Sequence, residues 1–205
     1  YPLDFEPMAL AGHDLAAIVL TSGTTGIPKG VLHTHARLVD SCRAAVYPFG
    51  LTPHSSTLNM FTTSFMGWSN LALPYFNIGA RQVFHDHWDP KRVLKTIAEE
   101  RLTNLLLVPT MWRLLLREDV ESYDLSSLRR LWHLAAPCPP NIKEAWIALL
   151  GPGAVWELYG GTELQALTFI SGTEWLSHRG SVGRVVAGEM TVLDDDGHEC
   201  PPGVV

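Results

Sequence analysis

Two short stretches carry residues whose types and spacing could do chemistry. The first, TSGTTGIPKG at 21–30, has glycines at Gly23, Gly26 and Gly30. Glycine tolerates positive φ and lets backbone approach a ligand closely, and successive N–H groups in such a loop can form an anion-binding nest. Thr21, Ser22, Thr24 and Thr25 add hydroxyl donors, and Lys29 adds a mobile cation. The chemistry would be phosphate binding, and the alternative is a solvated loop that is merely polar. A Walker loop requires Gly-Lys-Ser/Thr at its end. Here Lys29 lies between Pro28 and Gly30, so that reading fails. The second stretch, ELYGGTE at 157–163, reads by itself as a strand leaving into a glycine-rich turn. Histidines His33 and His35, and His85 and His87 around Asp86, tempt a metal reading. A catalytic metal site needs about three ligands, and no third is spaced to join either pair, so these are expected as solvated surface or loop residues. Cys138 has no base beside it in sequence, which argues against a nucleophile.

These residues need a frame. The chain has 205 residues, 46% of them hydrophobic, enough for one large domain or two small ones with a real core. A net charge of −6 offers no basic face for nucleic acid. Three scattered cysteines, Cys42, Cys138 and Cys200, form neither a disulfide framework nor a zinc pattern, which points to a reducing, cytoplasmic setting. No apolar run approaches the roughly 18 residues of a membrane span. The apolar run LAAIVL at 15–20 predicts a buried strand before the glycine loop, and a helix follows from His35 to about Pro48. From about residue 57 to 158, strands and helices alternate, which predicts a parallel sheet with covering helices, an α/β fold. Asp89 and Pro90 are an N-cap and first-turn pair, and Thr110 is the expected cap of the next helix. After Tyr159, short strand-like segments with tight turns predict the start of a small β subdomain, β-barrel-like in character. The expected organisation is 1–56 with the phosphate loop, 57–158 as the α/β unit, and 159–205 as the turn and the start of the β unit.

The order of residues in TSGTTGIPKG closely resembles the signature loop of the AMP-forming, adenylate-forming family: acyl-CoA synthetases, luciferases and peptide-synthetase adenylation domains. ELYGGTE resembles that family's second core motif, Tyr-Gly-x-Thr-Glu. WDP at 88–90, LLLVPTM at 105–111, HLAAPCPP at 133–140, GSVGRVV at 180–186 and DDDGHECPPG at 194–203 extend the resemblance along nearly the whole chain. The set is most similar to the acyl-CoA synthetase branch that includes bile-acid and steroid-type CoA ligases. The resemblance implies that Thr21–Thr25, Gly26 and Lys29 hold the β- and γ-phosphates of ATP. It implies Tyr159, Gly160 and Gly161 with Ala135, Ala136 and Pro137 around the adenine, Thr162 on the α-phosphate, and Glu163 as the carboxylate for Mg²⁺. One carboxylate suffices for Mg²⁺, which keeps several waters. The implied activity is acyl-adenylate formation from a small carboxylic acid and ATP, then transfer to CoA. Lys29, Thr162 and Glu163 are the implied catalytic set.

Phe65, Trp68, His133 and Leu134 are the residues expected around the acid, with plain core packing as the alternative for Phe65 and Trp68. Leu134 stands where many members carry glycine and should take up pocket volume. The family's ribose-binding Asp and its lysine-bearing C-terminal domain would lie beyond residue 205, and a sizeable stretch would precede Tyr1. The expectation is therefore a piece of a longer ligase that is inactive alone. An adenylation domain loading a carrier protein shares both motifs. A non-catalytic nucleotide-binding module is the remaining alternative, against which Lys29, Thr162 and Glu163 stand intact.

Overall fold

The computed structural model describes residues 8–21, 28–62, 66–164 and 166–204. The first unit is a hairpin: β1 (Leu15–Thr21) pairs antiparallel with β2 (Lys29–Thr34), in a register that sets Thr21 opposite Lys29. The expected buried strand is thus half of a two-stranded ribbon, and Ile18 and Leu20 are 57% and 67% exposed. β2 was not anticipated, because Pro28 and Gly30 extended the loop signature into it. Its alternation turns His33 inward, where it is 1% exposed rather than solvated. Thr34 then caps α1 (His35–Val46), its hydroxyl accepting from the Arg37 N–H at 3.3 Å.

The main body is a seven-stranded sheet in the order β4-β3-β5-β6-β7-β8-β9. Its strands are β3 (Ser56–Asn59), β4 (Arg81–Phe84), β5 (Asn104–Leu107), β6 (Arg130–His133), β7 (Val155–Gly160), β8 (Leu167–Ser171) and β9 (Arg184–Ala187). β3 to β7 pair in parallel, each linked to the next by a helix: α2 (Met66–Asn77), α3 (Pro90–Glu100), α4 (Pro109–Leu115) and α5 (Pro140–Leu150). This is the α/β fold that the alternation of elements implies. β8 and β9, expected to open a small β unit, are hydrogen-bonded antiparallel onto the same sheet. Between them lies α6 (Gly172–Ser177), opened by a reciprocal capping box of Ser171 and Glu174. Beyond β9 the DDDGHE segment carries a single bridge, Leu193 to Glu199, and no named strand.

Local chemistry accounts for the helices. Asp89 caps α3 by accepting from the Arg92 N–H at 2.7 Å, and Pro90 supplies the first helical residue. Val93, Leu94 and Ile97 fall on one face and are fully buried, worth about 2 kcal/mol each in area removed from water. α4 starts one step earlier than expected: Val108 is its N-cap and Pro109, needing no donor, its first residue, so Thr110 is inside the helix.

Alternation along the strands divides the core in two. Leu105, Leu107, Leu131 and Val155 pack with α3, α4 and α5 residues on one face. Leu106, Trp132, Leu158 and Phe169 pack with Ala45 and Phe49 on the other. No helix among the described residues is long and apolar enough to cross a membrane.

Candidate functional site

All the parallel strands deliver their C-terminal ends to one edge of the sheet, where α/β proteins place ligands. The strand direction reverses at β7, which is parallel to β6 and antiparallel to β8. At this switch lies a cavity of about 380 Å³. Ala135, Ala136 and Pro137, leaving β6, form part of its wall, and Tyr159 and Gly160, ending β7, form another. The structure therefore brings together five residues expected around one ring system. Tyr159 is 54% exposed, leaving its ring face available. Gly160 is closely packed: a Cβ there would lie 2.5 Å from a Leu167 methyl, which would have to move, and 3.2 Å from the Ala166 carbonyl oxygen. Ala135 has φ of 71°, and Leu164, just past the second motif, has 54°. Left-handed backbone at a non-glycine costs about 1 kcal/mol or more and tends to cluster at functional turns.

Thr162 and Glu163 sit on the turn after β7, closed by the Leu164 N–H donating to the Gly161 carbonyl at 3.1 Å. Glu163 is exposed, and no hydrogen bond or ion pair engages its carboxylate among the described residues. The turn is tied to the start of α1, 126 residues away. Arg37 in the first turn of α1 donates through Nη2 to the Glu163 carbonyl at 3.5 Å and to the Leu164 carbonyl. Lys29 opens β2 and is exposed, and the Thr21 hydroxyl donates to its carbonyl at 3.4 Å. Ser22, Gly23, Thr24, Thr25 and Gly26 lie outside the described residues, as does Phe65. Trp68 lies on α2.

His133 and Leu134, expected together, part company because successive residues point to opposite faces. Leu134 lines a second, narrow cavity of about 40 Å³ on the α1/α2 side, with Leu106, Leu158, Cys42 and Leu73. His133 lies on the other face, fully buried, its ring edge-on to Trp112 at 4.8 Å. Beneath the first cavity it meets a group that motif reading overlooked. Lys143 of α5, 1% exposed, donates to Glu157 Oε2 of β7 and lies 4.6 Å from the centre of the Trp175 ring. His133 Nε2 is 3.4 Å from the same oxygen but forms no hydrogen bond, and neither ring nitrogen has a partner among the described residues. That contact is not an ion pair: burial, helped by the Lys143 charge, pushes the His133 pKa down to about 3. Burial also lowers the Lys143 pKa, opposed by its bond to Glu157. Cys138 is pushed up to about 11 by burial, so it is a thiol and no nucleophile at neutral pH. The signal for Glu157 was in the sequence, a lone carboxylate in an apolar strand. Lys143 gave none, since a lysine within a helix ordinarily reads as solvated.

The AMP-binding enzyme family model matches residues 3–205. The chain belongs to the AMP-binding enzyme family. Within it, the 3-hydroxybenzoate/4-hydroxybenzoate–CoA ligase of Thauera aromatica is 33% identical over 201 residues, covering 95% of this chain and 38% of that protein. The human mitochondrial acyl-coenzyme A synthetase ACSM5 is 30% identical over 207 residues, 96% of this chain and 34% of that one. ATP-bound MatB from Rhodopseudomonas palustris superposes with a TM-score of 0.83 at 26% identity, covering 98% of this chain and 40% of that chain. The amide bond synthetase McbA from Marinactinospora thermotolerans gives 0.80 at 30% identity, over 93% and 39%. The chain thus spans between a third and two fifths of these AMP-binding enzymes.

Proposed function

We propose that the protein carrying this chain activates a carboxylic acid with ATP and passes the acyl group to CoA. The observation that carries the reading is the cavity at the β7 switch, where the Ala135–Pro137 wall and Tyr159 meet, beside the turn after β7 that Arg37 of α1 holds. The adenine would lie between that wall and Tyr159. Thr162 would donate to an α-phosphate oxygen, and Lys29 with the loop N–H groups would hold the β- and γ-phosphates. A carboxylate oxygen of the acid attacks the α-phosphorus, and the bond to the β-phosphate oxygen breaks to release pyrophosphate. The CoA sulfur then attacks the acyl carbon and AMP leaves. Such chemistry is mostly positioning and charge neutralisation.

The free, exposed carboxylate of Glu163 suits Mg²⁺, a hard cation that prefers oxygen donors. When bound, the ion neutralises charge on phosphate oxygens. The second cavity is narrow but lined almost wholly by apolar side chains, a wall that would suit an acid with an apolar body once the site opens. The three cysteines are free, in keeping with a reducing compartment such as the cytoplasm.

ATP–pyrophosphate exchange by the full-length protein over a panel of carboxylic acids tests the first step. Glu163→Ala should abolish exchange and leave the melting temperature unchanged, and no exchange with any acid would refute the reading. Replacing CoA with a phosphopantetheinylated carrier protein distinguishes the two acceptors.

A further inference from the structure

We infer that Arg37 is a positioning residue: it grips the backbone at Glu163 and so holds that carboxylate in place for the metal ion of the nucleotide complex. The inference rests on the proposal that Glu163 serves Mg²⁺.

The turn that carries Thr162 and Glu163 has little else to fix it. Gly160 and Gly161 lead into it, and glycine has the most conformational freedom to lose on ordering. Among the described residues, no hydrogen bond or ion pair engages the side chain of Thr162 or Glu163. The turn is held through its backbone: Leu164 N–H donates to the Gly161 carbonyl at 3.1 Å, and Arg37 Nη2 donates to the Glu163 and Leu164 carbonyls together. Two carbonyls converging on one point repel each other unless a cation lies between them, and a charged donor makes the stronger hydrogen bonds. The two peptide planes flank Leu164, whose φ is 54°, so the guanidinium fixes a backbone that a leucine ordinarily avoids. Holding the Glu163 carbonyl sets the ψ of Glu163, and with it the direction in which its side chain leaves the chain. Arg37 directs its charge to carbonyls and not to the carboxylate, which stays open to a hard cation.

The other end of the tether is firm. The N–H groups of His35 and Ala36 donate to the Asp14 and Gly12 carbonyls at 3.1 and 2.8 Å, and the Thr34 hydroxyl accepts from the Arg37 N–H at 3.3 Å. β2 opens at Lys29 and runs directly into α1, so one continuous segment carries both Lys29 and Arg37. Beside the tether lies a cleft of about 220 Å³ between α1 and the segment after the turn, lined by Arg37, Asp40, Ala44, Leu164 and Leu167. Among the described residues no other hydrogen bond joins α1 to the turn. Arg37 thus sets where Glu163 stands relative to Lys29.

The probe is Mn²⁺, which takes the same oxygen ligands as Mg²⁺ and is read by EPR. Its affinity is measured for the full-length protein saturated with α,β-methylene-ATP, alongside the affinity for that nucleotide in EDTA. Arg37→Met should weaken Mn²⁺ binding about tenfold, the usual scale for a group that orients a metal ligand, and leave the metal-free nucleotide affinity within about twofold. Glu163→Ala should weaken Mn²⁺ at least as much. Adding Arg37→Met to Glu163→Ala should then cost almost nothing more, because no carboxylate is left to aim, and this failure of additivity is the signature of action through Glu163. A merely structural role would lower the metal-free affinity as well, or repeat its full effect in the Glu163→Ala background. Either of those results, or an Mn²⁺ affinity in Arg37→Met within about twofold of wild type, overturns the inference while leaving nucleotide binding intact. If the wild type binds no nucleotide, or Glu163→Ala leaves Mn²⁺ affinity unmoved, the functional reading fails first and this one with it. Should Arg37→Met not fold, Arg37→Lys, which keeps the charge but lacks the planar fork of donors, takes its place in the same cycle.

Discussion

His133 makes the pH dependence of this fold calculable. The imidazole is fully buried against Trp112, with pKa near 3 in place of its usual 6.5. The unfolded chain therefore binds a proton on this residue between those values while the folded chain does not. Stability contributed by the depressed site is present above pH 6.5 and is lost as pH falls toward 3. Integrating from pH 7 to pH 5 gives about 2 kcal/mol, or about 4–8 °C in melting temperature for a domain of this size. His133→Leu removes the titration at nearly constant volume. It also removes two ring nitrogens that have no hydrogen-bond partner among the described residues, so it should cost little at pH 7. Thermal unfolding of both proteins at pH 7 and pH 5 is the assay. The wild type should lose about 2 kcal/mol more than the variant across that interval, and because every other group is shared, the difference isolates His133. Equal losses would refute the reasoning, since they would mean the folded state protonates His133 as readily as the unfolded one.

Leu134→Gly should enlarge the apolar cavity and shift kcat/KM toward bulkier acids by tenfold or more, since a single methylene is worth about 1–3 kcal/mol of discrimination; acid-panel kinetics would show it, and an unchanged rank order would place the acid elsewhere. Gly183→Ala should destabilise severely. Gly183 has φ of 93°, and a Cβ there would lie 1.8 Å from the Phe169 carbonyl oxygen, breaking the β8–β9 pairing; soluble expression with a wild-type melting temperature would contradict this.

Much of this arrangement was legible before any coordinates. α3 is written in Asp89, Pro90 and the spacing of Val93, Leu94 and Ile97, because a cap and an apolar stripe are local chemistry. The second core motif was legible because its residues are contiguous at the end of one strand. What escaped is non-local or short. β2 hid behind turn residues, and it forms because β1 supplies its partner. α6 has only six residues, with its capping box as the sole signal. His133 and Leu134 looked like neighbours in one pocket, yet the pleat sends them to opposite faces. The Lys143–Glu157 pair spans 14 residues and two elements, and only the packing of α5 on β7 makes it a pair.

The division of the sheet into two faces also bears on how such a protein can change. The apolar cavity is shaped from α1, α2 and one face of the strands, the cavity proposed for the base from the opposite side and the β7 edge. On the proposed reading, substitutions that retune the acid would fall in one set of residues, and those that retune the nucleotide in another. The two linings share a single described residue, Leu158. Substrate range can thus drift by many routes that leave nucleotide use untouched. Leu158 is the position where a library aimed at a new acid would first alter the handling of ATP.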